Sequence, residues 1–233
     1  MSSAVAGWRG TRSMTRRAGI RDSERGGKTH ALFVDLLADP RVRLGLGTAV
    51  TLVTAVSAHR NRVGRYEADA FRAVNSLPDV LYVPAWIIMQ LGTLGAAPAA
   101  AGAALLAGDR ELAGRLLAGG TCTWALSKLV KQIVRRPRPA TLVSSTRSRG
   151  RGASGLGYLS GHAGVAAALG TAAGSRLSPA GRAVIVAVVP TVGLARMYVG
   201  AHLPLDIAGG TALGNVVDSA LVLVWRSGGR SSR

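Results

Sequence analysis

The sequence predicts an all-α polytopic membrane protein, a bundle of about six transmembrane helices, and three observations carry that reading. Of the 233 residues 48% are hydrophobic and only 17% charged, against the quarter charged that an average soluble domain carries. The apolar residues come in long runs, and one of them, 80–108, holds no charged side chain and exceeds the length needed to cross a ~30 Å hydrocarbon layer. The net charge of +18, from 29 Lys+Arg against 11 Asp+Glu, is almost all arginine and gathers between the runs. A basic disordered chain would be polar throughout and is excluded by the apolar content. Thirty-one glycines, against ten aromatic residues from 4 Trp, 4 Tyr and 2 Phe, suggest helices packed through small side chains. The single cysteine, Cys122, excludes an internal disulfide and a cysteine-built metal cluster.

Residues 1–40 read as a basic, disordered tail facing the cytoplasm, with a charge that could also touch anionic lipid. Arg16-Arg17 has no apolar run at signal-peptide distance behind it, so it is not a twin-arginine signal. The membrane domain is expected over 41–226, its six apolar stretches at 44–58, 80–108, 112–129, 162–173, 183–198 and 205–225. Residues 227–233 form a short basic tail. Arg115 and Lys128 lie near the ends of the third stretch, where they can snorkel. Six spans put both termini on one side. The inner segments then all carry arginine, although the outer segments 59–79 and 135–160 carry it too. Within 63–79, Val63, Tyr66, Ala70, Phe71, Val74 and Leu77 recur at helical spacing among charges. That segment is either an amphipathic helix on the outer interface or a lid packed on the bundle. Gly170/Gly174 and Gly210/Gly214 are spaced for helix packing, and Asp218 calls for a polar partner such as Asn215 or a neighbouring helix.

Eight basic residues and no acid occur from Lys128 to Arg151, and no carboxylate stands between Glu111 and Asp206. An uncompensated cationic stretch at a membrane surface calls for an anion. Nucleic acid is disfavoured as a partner, because no stacking aromatics are interleaved. Three groups follow in order, each at the end of an apolar stretch. Lys131 precedes Arg138-Pro139 by seven residues, about two helical turns, and Pro137 and Pro139 stiffen the exit. Ser160-Gly161-His162 opens the fourth stretch and offers free backbone N–H groups, a hydroxyl and an imidazole. Arg196 precedes His202, and Asp206 stands four residues beyond, placed to hold one imidazole nitrogen and leave the other as a nucleophile.

Together these groups resemble the signature of the type 2 phosphatidic acid phosphatase (PAP2) superfamily, K-x6-R-P, then P-S-G-H, then S-R-x5-H-x3-D. The resemblance covers roughly residues 80–225, with two departures: Leu159 replaces the usual proline and Ala195 the usual serine. It implies the helical bundle shared by these phosphatases and the vanadate haloperoxidases. It also implies a site in which Lys131, Arg138, Arg196, Ser160 and Gly161 bind phosphate. His202, oriented by Asp206, would be the nucleophile and His162 the general acid, with no metal and no cofactor. The expected activity is that of an integral membrane lipid phosphatase acting through a phosphohistidine. The substrate class is undecaprenyl diphosphate, phosphatidic acid or phosphatidylglycerol phosphate, and the arginine-rich loop 139–157 tilts the choice towards the diphosphate. The expected location is the bacterial plasma membrane, with the active site at the outer face and both termini cytoplasmic. Dimerisation is compatible with the sequence, though nothing in it calls for a dimer. A vanadate-dependent haloperoxidase would be larger and soluble and would brominate in the presence of vanadate. A non-catalytic phospholipid-binding protein would hold lipid without releasing phosphate, and a transporter would line a pathway with its charges.

Overall fold

A computed structural model describes residues 39–150 and 154–231, so the basic tail expected over 1–40 lies almost wholly outside the described residues. All the regular structure among them is helical. Helix α1 (Pro40–His59) starts where Asp39 accepts from the Arg41 N–H at 2.7 Å and Pro40 fixes the first turn. The short α2 (Arg65–Asn75) follows. Then come α3 (Tyr82–Met89), between single 3₁₀ turns at Asp79–Leu81 and Gln90–Gly92, and α4 (Ala96–Leu106). Helix α5 (Arg110–Val134) is capped by Asp109, which accepts from Leu112 N at 2.9 Å, and it stops where Arg135 turns left-handed at φ 54°. The remaining helices are α6 (Gly161–Gly174), α7 (Pro179–Tyr198) and α8 (Pro204–Ser231), the last running on through most of the expected 227–233 tail.

Each of the six apolar stretches lies on helix, and three helices, α1, α7 and α8, are individually long and apolar enough to cross a membrane. The longest uncharged run does not form one straight span. It breaks between α3 and α4 with a bend of 68°. The break has a packing reason. Gly92 lies so close to the backbone of His162 that any Cβ would strike it, so the chain turns there to close on the start of α6. Helix α6, with 14 residues, rises only about 21 Å. It is nevertheless the most buried helix, enclosed by α5, α7 and α8.

Small residues set that enclosure. A Cβ on Gly210 would meet the Ser160 carbonyl and one on Gly214 the Gly164 carbonyl, so α8 crosses α6 backbone to backbone. Gly170 packs under Ile185 and Val189 of α7, whereas Gly174 faces open space and plays no such part. At the end of the bundle where α1 begins, Arg115 does not snorkel. Its guanidinium forks onto Asp218 at 2.7 and 2.8 Å, with Ser175 at 3.0 Å and Arg43 a further 3.7 Å ion pair to the same carboxylate. Asp218 therefore finds its partners on α5 and α1, and Asn215 instead accepts from Thr171 at 2.7 Å.

Candidate active site

The opposite end of the bundle gathers the three motif groups. The end of α5 supplies Lys131, and the Arg136-Pro-Arg138-Pro139 segment leaves it in extended conformation before a single turn at Pro139–Leu142. Ser160 is the N-cap of α6, its hydroxyl accepting from Ala163 N at 3.4 Å, so Gly161 and His162 stand in the first turn with amides that the helix leaves unpaired. Arg196 lies in the last turn of α7, His202 in the connection, and Asp206 in the first turn of α8. The Ser160 N–H donates to the Asp206 carbonyl at 2.8 Å, which locks the second motif onto the third.

His202 is 2% exposed and Asp206 fully buried. The imidazole Nδ1 stands 3.6 Å from Asp206 Oδ2, longer than a hydrogen bond, and Nε2 stands 3.3 Å from Arg138 Nη1. Arg138 also donates to the Ala201 carbonyl at 2.7 Å and the Ser154 carbonyl at 3.2 Å, while Arg196 reaches Met89 Sδ at 3.4 Å. The Nε atoms of Arg138 and Arg196 are buried donors with no partner among the described residues. Lys131 behaves differently from the sequence expectation. Its ammonium donates to the carbonyls of Leu156, Gly157 and Leu159, and so holds the strand of chain that delivers Ser160.

Burial, followed by the positive charges of Lys131, Arg196 and Arg138, holds His202 well below the ordinary histidine pKa. At neutral pH the ring is therefore uncharged, the state that the nucleophile role expected from the sequence requires. Below about pH 6.5 the unfolded chain takes up a proton that the folded one refuses, so stability falls as pH drops through that value. The melting midpoint in detergent should drop between about pH 7.5 and about pH 5.5, and drop less in His202→Gln. Equal drops in both proteins would remove His202 from that account.

Two side chains that the sequence did not mark occupy the same place. Arg136, fully buried, donates to Asp206 Oδ1 at 2.9 Å and forks onto Glu67 at 3.0 and 2.8 Å. Glu67 comes from α2, which packs on the bundle through Ala68, Phe71 and Asn75 and leaves Tyr66 exposed. The helix within 63–79 thus packs one face on the bundle and leaves the other open. A signal was present: Glu67 falls midway between Val63 and Phe71 at four-residue steps, an acid on the apolar face. The segment that is free of acids in sequence therefore receives one in space.

The outer-loop arginines are less available than their number suggests. Arg149 donates to Asp79 and to the carbonyls of Asn75, Leu77 and Tyr198, and stacks 4.2 Å over the Tyr198 ring. Asn75 in turn bonds the carbonyls of Arg147, Met197 and Tyr198. Arg149 is a clamp between α2 and α7, which weakens the case for a second phosphate there, and Arg151 lies outside the described residues. Among the described residues no three His, Cys, Asp or Glu side chains are grouped to hold a metal ion.

The PAP2 superfamily model matches residues 112–229, just over half of the chain. Two solved structures share the fold. One is a transmembrane PAP2-type phosphatidylglycerolphosphate phosphatase from Bacillus subtilis, 20% identical, with a TM-score of 0.60 over 79% of this chain and 96% of that one. The other is LpxE from Aquifex aeolicus, 21% identical, with a TM-score of 0.55 over 66% of this chain and 93% of that one. No curated protein matches the chain.

Proposed function

Because the chain belongs to the PAP2 superfamily, we propose that it is an integral membrane phosphatase that hydrolyses a phosphate monoester or diphosphate of a lipid. The observation that carries this reading is the approach of Arg138 to His202 Nε2, at 3.3 Å, with Asp206 on the other side of the ring. A phosphoryl oxygen that takes the place of His202 Nε2 at Arg138 frees that nitrogen and brings phosphorus to it. Nε2 attacks, the bond from phosphorus to the lipid oxygen breaks, and His162, which takes up a proton from solvent as the phosphate's negative charge enters beside it, gives that oxygen its proton. His162 then takes a proton from water, whose oxygen displaces His202 and releases phosphate. Arg138 and Arg196 each have a buried Nε free to meet a non-bridging oxygen. The Ser160 hydroxyl and the amides of Gly161 and His162 meet the others, and the positive charge of Lys131 adds to the field.

Two grooves beside the site could hold the lipid. In an in-line displacement the leaving oxygen departs opposite the nucleophile. A groove of about 680 Å³ starts at Gln90 and Thr93, beside Gly92 and the His162 backbone, and runs between α4, α6 and α7 past Ala100 and Leu169. That size suits a hydrocarbon chain. A second groove, of about 750 Å³, lies between α1, α7 and α8 and reaches Met197 and Pro204. The leaving lipid is assigned to the first, which starts beside His162, the residue that protonates the leaving oxygen. With both termini cytoplasmic, the site, at the opposite end of the bundle from the start of α1, faces the outer surface.

The test is phosphate release by the purified protein from undecaprenyl diphosphate, phosphatidic acid and phosphatidylglycerol phosphate side by side, with and without excess EDTA. Turnover of at least one of them, unchanged by EDTA, is the expected result, since arginines supply the charge that a metal ion supplies elsewhere. No turnover of any, or a strict Mg²⁺ requirement, would overturn it.

A further inference from the structure

Glu67 and Arg136 stand outside the three motif groups, yet both are built into the site. Asp206 spends both carboxylate oxygens before it meets His202: Oδ1 accepts from Arg136 Nη1 at 2.9 Å and Oδ2 from Leu203 N at 2.9 Å. Arg136 Nη1 is shared, because the same nitrogen donates to Glu67 Oε1 at 3.0 Å while Nη2 donates to Oε2 at 2.8 Å. Glu67 Oε1 also accepts from Leu205 N at 3.2 Å, one residue before Asp206. The side chains of Arg136 and Asp206 are fully buried and that of Glu67 is 9% exposed. We propose that this Glu67–Arg136 pair is the positioning device of the site, holding the Asp206 carboxylate in the one orientation from which it can direct His202.

The physics is that of a carboxylate with a soft terminal torsion. With only an imidazole to hold it, Asp206 could turn about its last bond and present either oxygen to either neighbour. With Oδ1 pinned by a guanidinium that is itself forked onto Glu67, and Oδ2 by Leu203 N, turning would break two hydrogen bonds at once. Arg136 also separates two buried carboxylates that would otherwise face each other, a pairing in which one must take up a proton and lose its pull on the imidazole. A lysine at 136 would keep one charge and lose the fork. The contribution of α2 to the chemistry thus passes through one side chain in its first turn.

The proposal rests on the phosphatase reading, and the experiment separates the two. Glu67→Gln and Arg136→Lys would be measured against wild type for kcat, KM, inhibition by orthovanadate as a phosphate analogue, and melting midpoint. A loosened nucleophile loses transition-state stabilisation without losing the phosphate site. We expect kcat to fall about tenfold in Glu67→Gln and up to about a hundredfold in Arg136→Lys, with KM and vanadate inhibition within about twofold. Glu67→Gln keeps the shape and leaves Arg136 paired with Asp206, so it should fold with a lowered melting midpoint, and it decides the matter if Arg136→Lys does not fold. Unchanged kcat in folded Glu67→Gln overturns the proposal and leaves the phosphatase reading standing. A loss confined to KM and vanadate binding also overturns it, since that would place the pair in the phosphate pocket. Wild-type protein that releases no phosphate from any lipid overturns the reading, and the proposal with it.

Discussion

Replacing His202 with alanine is expected to abolish phosphate release, by at least about a thousandfold, the scale on which a covalent nucleophile is lost. The ring is nearly enclosed, so its removal leaves a small cavity and costs some stability. The groups proposed to bind phosphate do not depend on it. Arg138 keeps the Ala201 and Ser154 carbonyls, and Asp206 keeps Arg136 and Leu203 N. The mutant should therefore reach the membrane, melt cooperatively in detergent and still bind orthovanadate while releasing no phosphate. Activity near wild type in a folded His202→Ala protein would remove this histidine from the mechanism and the phosphohistidine with it.

The second large effect lies at the far end of the molecule and concerns stability alone. Asp218 is 1% exposed and is the shared counter-charge of Arg115, forked at 2.7 and 2.8 Å, and of Arg43 at 3.7 Å. Asp218→Ala leaves two partly buried guanidinium groups, Arg115 11% and Arg43 22% exposed, without their shared counter-charge. Removing one partner of a buried ion pair typically costs about 3–5 kcal/mol, more than the intact pair is worth, because the remaining charge is left unsolvated. The melting midpoint should fall steeply, while turnover per folded molecule at low temperature stays near wild type. Replacing Arg115 by methionine as well should return part of the loss, since it removes a charge along with its partner. A midpoint unchanged in Asp218→Ala would mean that water reaches the cluster and screens it.

Much of this protein could be read from its sequence, and the limits are specific. The apolar stretches located the helices because hydropathy reports the solvent a segment will meet, and α1, α7 and α8 follow their stretches to within a few residues. The same measure failed at 80–108. Hydropathy does not distinguish a straight span from one bent at Gly92, where the bend depends on how closely His162 approaches. The motif residues could be found because their spacing is local: four residues from His202 to Asp206, seven from Lys131 to Arg138. Charge counting along 139–157 does not tell which cations are free, since Arg149 is a clamp on Asn75, Leu77 and Tyr198.

By itself the sequence determined the fold class, the family and which residues stand at the helix ends, because periodicity, hydropathy and short-range spacing are properties of the chain alone. The tertiary structure alone decided what each charge is paired with. Glu67 and Arg136 are 69 residues apart and Arg115 and Asp218 103 apart, and a partner at such a distance leaves no periodic trace. Which arginines stay free for a phosphate and which are spent on the protein's own carboxylates and carbonyls is set by the packing of α2, α5, α6 and α8. A buried charge must be met by whatever that packing brings within reach.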